Sequence, residues 1–86
     1  MELLAGTPVN LTSSGAVSLS PGTLIGFYVA SVGSSPTLIL RDGGSSGTAI
    51  SGTITPVAGY SHYPAQCTTG CYATIGGTVN VTIFYQ

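Results

Sequence analysis

The sequence predicts an all-β domain, a small antiparallel β-sandwich of jelly-roll or immunoglobulin-like type with about 6–8 short strands. Three observations predict it. Val, Ile, Thr and Tyr are frequent and suit pleated strands. Thirteen glycines and five prolines divide the chain into short pieces, and turn signals at regular spacing mark a sandwich or small barrel. No window sets apolar residues at helical spacing beside a charged face.

The elements follow in order. "NLTSSGAVSLS" reads as two short, weak strands or one interrupted one. "TLIGFYVAS" reads as a long central strand, and Gly26 inside it marks a bulge or a close contact. In "TLILR", Leu38 and Leu40 share one face and Ile39 takes the other. "DGGSSGT" is turn-forming, so the segments flanking Asp42–Thr48 read as a hairpin that resumes in "AISGTIT". "PVAGYSHYP", bounded by Pro56 and Pro64, reads as an extended segment at an edge or across a sandwich end. "CYATI" and "TVNVTIFYQ" flank Gly76-Gly77, which predicts a two-residue type I′ hairpin with positive φ at both glycines. In the last segment Val79, Val81, Ile83 and Tyr85 form the core face; Thr78, Asn80, Thr82 and Phe84 form the other. So apolar a strand is expected at the centre of a sheet, because a free edge of this kind invites aggregation.

Charge decides the function classes. The 86 residues contain one Lys or Arg, two Asp or Glu, and a net charge of −1. Nucleic-acid binding needs several Lys/Arg contacts to phosphate, and Arg41 stands alone. Anionic membranes are excluded for the same reason. No run approaches the roughly 18 apolar residues of a membrane helix. The opening "MELLAGTPVNLTSS" lacks the basic start and apolar core of a secretory signal, so synthesis in the cytoplasm and use without passing a secretory pathway are expected. A hydrophobic fraction of 43% argues against disorder. The chain therefore folds with little of the charge that keeps monomers apart, and a homo-oligomer or incorporation into a large assembly is expected.

Few residues are candidates for chemistry. Cys67 and Cys71 are four apart, and Thr68-Thr69-Gly70 allows the turn a disulfide needs. Two free thiols are the alternative. Structural zinc takes four ligands, and His62 is the only other soft donor, so no metal is expected. His62, Asp42 and the serines lack a G-x-S-x-G elbow, and Glu2 and Asp42 are the only carboxylates. Neither a triad nor a carboxylate pair is supported, so no catalytic residue, cofactor or enzyme activity is expected. Tyr60, His62, Tyr63, Tyr72 and Phe84 are the candidate contacts for a partner subunit or a glycan, since tyrosine buries a ring and keeps a polar tip. The alternative is simple packing at a sandwich end.

The order of motifs resembles small structural proteins of tailed bacteriophages and prophages. A G-x-L-x-G-x-Y/F-V segment spans Gly22 to Val29, and T-L-x-L-x-D-G spans Thr37 to Gly43. A G-T-x-I…T-P-x-A-G stretch spans Gly47 to Gly59, and Tyr63-Pro64 follows. The pattern closes between Thr69 and Tyr85. It covers residues 22–86, which the resemblance implies are the β-sandwich domain. Residues 1–21 lie outside it, as an N-terminal arm with weak first strands that reaches a neighbour. Cys67 and Cys71 are not part of the pattern. The resemblance implies a virion protein on the capsid exterior, a decoration or cement protein, with a homotrimer and the major capsid protein or other virion proteins as partners. Its alternative is a fibre or receptor-binding module that contacts a host surface glycan. Neither implies catalysis.

Overall fold

The computed structural model describes residues 7–86. Eight strands form: β1 (Thr7–Leu11), β2 (Gly15–Ser18), β3 (Gly22–Val32), β4 (Thr37–Asp42), β5 (Thr48–Ala49), β6 (Gly59–Cys67), β7 (Cys71–Gly76) and β8 (Val79–Tyr85). They build two antiparallel sheets of four, ordered β1-β8-β3-β6 and β2-β7-β4-β5. The first is called sheet A below, the second sheet B.

The topology has a simple origin. β1 pairs with β8, β2 with β7, β3 with β6 and β4 with β5. The midpoints of all these pairings fall between residues 44 and 46. The chain is one long antiparallel hairpin that turns in the "GGSSG" loop. It wraps so that its segments distribute over two sheets, and the β3–β8 and β4–β7 ladders form where it meets itself. This is the eight-stranded jelly roll; the immunoglobulin-like alternative, with its ABED and CFG sheets, is set aside.

The core lies between the sheets. Sheet A contributes Leu24, Phe27, Val29, Val79, Val81, Ile83, Tyr85 and Cys67; sheet B contributes Val17, Leu38, Leu40, Cys71 and Ala73. β8 alternates strictly, with Val79, Val81, Ile83 and Tyr85 buried and the intervening side chains half-buried. It sits between β1 and β3, as its apolar face requires. The register of β3 shifts between Leu24 and Gly26, so Ile25 faces both Tyr63 and Pro64 of the edge strand β6. An edge and a bulge are the places where a sheet tolerates proline.

Two expectations need correction. Gly76-Gly77 does not turn a hairpin: β7 lies in sheet B and β8 in sheet A. Only Gly77 has a positive φ, 68°. Both edges of β8 are taken by β1 and β3, and both edges of β7 by β2 and β4, so the two strands have no edge left for each other. The segment after the Asp42–Thr48 turn is not a continuous strand. It pairs at Thr48–Ala49, then holds the edge of β4 through Ile50 N–H to Leu40 O at 2.8 Å and a single bridge at Ile54. The weak first strands expected before residue 22 form as β1 and β2. β1 and β2 complete one sheet each, and Ser14 Oγ accepts the Ile75 N–H at 2.7 Å. Of the expected arm, residues 1–6 lie outside the described residues.

Candidate functional site: an uncharged aromatic face

The outer surface of sheet A gathers the exposed aromatic rings. Cross-strand register sets two rows across it. Pro8, Phe84, Gly26 and His62 align in one; Asn10, Thr82, Tyr28 and Tyr60 align in the next. Residues two apart on a strand share a face, and for this reason Tyr60 and His62 project together from β6. The Tyr60 ring lies 6.2 Å from Phe84 in an edge-to-face arrangement and 6.5 Å from His62. An aromatic pair of this geometry contributes about 0.5–1.5 kcal/mol beyond its buried area.

Gly26 is the floor of the cluster. A Cβ there would stand 2.5 Å from both the Tyr60 hydroxyl and the Ser61 carbonyl oxygen. Only the absence of a side chain lets Tyr60 lie across β3. Tyr28 is 46% and Tyr60 52% exposed, so the rings remain open to a partner. Beside them Asn10 Nδ2 donates to Asn80 Oδ1 at 2.8 Å and to Thr82 Oγ1 at 3.0 Å. Among the described residues the face carries no charged side chain; the charged ones are Arg41 and Asp42, both on β4 of sheet B.

The five ring residues singled out in the sequence therefore separate. Tyr60, His62 and Phe84 come together. Tyr63 points the other way, packs against the core, and donates its hydroxyl proton to Ile50 O at 2.7 Å. Tyr72 is on sheet B, between Ala16 and Arg41 in register. Tyr28 joins the cluster without having been singled out. The bulge at Gly26 would have revealed it, because past the bulge Tyr28 falls opposite Phe27 and Val29.

The cysteines lie at one end of the sandwich. Both are fully buried free thiols. Burial pushes the Cys71 thiol up to about 12, with the adjacent Cys67 adding to it. Burial raises Cys67 as well. The turn between them is held by Asp42. Its Oδ2 accepts from Thr68 N at 3.0 Å and from Thr68 Oγ1 at 2.8 Å, and its Oδ1 accepts from Thr69 N at 2.9 Å. The Thr68 N–H, then the Thr69 N–H and the Thr68 hydroxyl, lower the Asp42 carboxyl from the ordinary 3.8 to about 2. Hydrogen bonds to the charged form favour that form. No three His, Cys, Asp or Glu side chains come together to hold a metal among the described residues.

Comparison of the chain with protein-family models, with curated proteins and with solved structures found no match.

Proposed function

We propose that this chain is a structural subunit of a phage particle, a decoration or cement protein that assembles as an oligomer, most simply a trimer, on the capsid exterior. One observation carries the reading: the outer face of sheet A is aromatic, exposed and free of charged side chains. Interface cores are depleted of charge and enriched in tyrosine and phenylalanine. The motif order from Gly22 to Tyr85 supports the phage setting. The jelly roll recurs in viral capsid domains, which is analogy at the level of fold and no more.

A second reading rests on the same face. Tyr28, Tyr60 and Phe84 beside Asn10 and Thr82 offer rings and neutral hydrogen-bonding groups, the combination a neutral glycan would require. A fibre or receptor-binding module is the corresponding role.

Light scattering at micromolar concentration, with Tyr60→Ala as the comparison, tests the oligomer. Oligomers are expected for the parent chain, and dissociation is expected for the variant. A soluble monomer of 8.5 kDa overturns the assembly reading. Immunogold labelling of purified particles locates the chain on the head exterior; label confined to fibres favours the glycan reading.

A further inference from the structure

The two cysteines occupy the point where the chain leaves one sheet and enters the other. Cys67 closes β6 in sheet A, opposite Gly22 of β3. Cys71 opens β7 in sheet B, opposite Ser18 of β2 and Asp42 of β4. β6 and β7 share no ladder. Only the arch Thr68-Thr69-Gly70 joins them, and both side chains enter the same core cluster, fully enclosed.

We propose that Cys67 and Cys71 form a two-electron redox pair, whose oxidation to an internal disulfide staples this end of the sandwich across both sheets. The place of the bond matters more than the size of the loop it closes. Backbone hydrogen bonds hold each sheet internally, while side-chain packing holds one sheet to the other. A bond from β6 to β7 adds a side-chain covalent tie beside the backbone arch that crosses between the sheets.

The chemistry balances with a low-molecular-weight disulfide as oxidant. One cysteine thiolate attacks a sulfur of R–S–S–R and releases one R–SH. The second cysteine then displaces the other R group as a second R–SH. The protein loses two hydrogens and gains one S–S bond; the small disulfide is reduced to two thiols.

The fold also sets the rate. Thiolate is the reactive form, and apolar burial disfavours it. The sulfurs therefore react when the arch opens, and opening breaks the three contacts Asp42 makes to Thr68 and Thr69. Asp42 is a positioning residue for the redox pair. The protein is a slow-reacting dithiol in a reducing compartment and becomes a stapled protein in an oxidising one, where disulfides persist.

The test uses the full chain, reduced and folded, incubated with excess oxidised glutathione. Samples are quenched with iodoacetamide at intervals and read by intact mass and non-reducing electrophoresis. The expected product is a monomer band that has lost two daltons and takes up no label. Its Tm should exceed that of the dithiol form by about 10 °C. Cys67→Ala and Cys71→Ala should each abolish the two-dalton loss. Asp42→Asn should speed the reaction about tenfold. Two outcomes overturn the pair: both thiols still alkylated after unfolding and refolding in oxidant, or a ladder of linked multimers. An oxidised form that melts below the dithiol form overturns the staple. Equal rates for Asp42→Asn and the parent overturn the role of the arch.

Discussion

The two outer faces of the sandwich differ more than the two inner ones. Inside, both sheets present mainly apolar side chains to one shared core, to which sheet A contributes the larger part. Outside, sheet B uses its polar groups on itself. Arg41 Nε donates to Thr74 Oγ1 at 2.9 Å, and Arg41 Nη1 donates to Gly47 O at 3.2 Å. Asp42 is likewise occupied by the Thr68–Thr69 arch. Sheet A instead leaves Tyr28 and Tyr60 about half exposed, on a face with no charged side chain among the described residues. Arg41 and Asp42 thus serve the fold, and the aromatic face keeps its rings exposed.

The largest effect should come from breaking what the two faces share. Val81 is fully buried at the centre of β8. Val81→Asp places an unpaired charge there and should cost more than about 3 kcal/mol, a large part of the roughly 5–10 kcal/mol such a domain has. Leu40→Ala, on the opposing sheet, should cost about 2–5 kcal/mol. Urea unfolding should show one transition for both variants. A separate early transition in either would mean that the sheets do not unfold as one unit.

A smaller effect is confined to the aromatic face. Gly26→Ala puts a methyl 2.5 Å from the Tyr60 hydroxyl and the Ser61 carbonyl, and overpacking of this kind costs about 1–3 kcal/mol. Combining it with Tyr60→Ala should recover only part of the loss, because the Ser61 backbone still crowds the methyl. Full recovery in a double-mutant cycle would assign the whole conflict to the ring.

The smallest effect tests the other side of the comparison. Asp42 has a folded pKa of about 2, below its ordinary 3.8. Its contribution is therefore complete above pH 4 and is lost as pH falls through the interval from about 4 to 2. Thermal melts of the parent should lose stability across that interval, and Asp42→Asn should not show the same loss. Parallel pH profiles for the two proteins would mean that the carboxylate is not holding the arch.

Strand class, most strand positions and the faces of β4 and β8 were legible in the sequence. That Leu38 and Leu40 share one face with Ile39 on the other, and that Val79, Val81, Ile83 and Tyr85 face the core, was legible because side-chain alternation is a property of a strand alone. The Asp42–Thr48 turn was legible because its chemistry is local. Tertiary structure decided which strands pair. It sent β7 and β8 to different sheets despite Gly76-Gly77, drew β1 to a partner 70 or more residues away, and put Cys67 and Cys71 on opposite sheets. It also joined Phe84 to Tyr60 and His62 while parting them from Tyr63 and Tyr72. The physical reason is that a strand's apolar face specifies burial but not the neighbour that buries it. Each strand has two edges, and which partner takes an edge depends on every other strand competing for it.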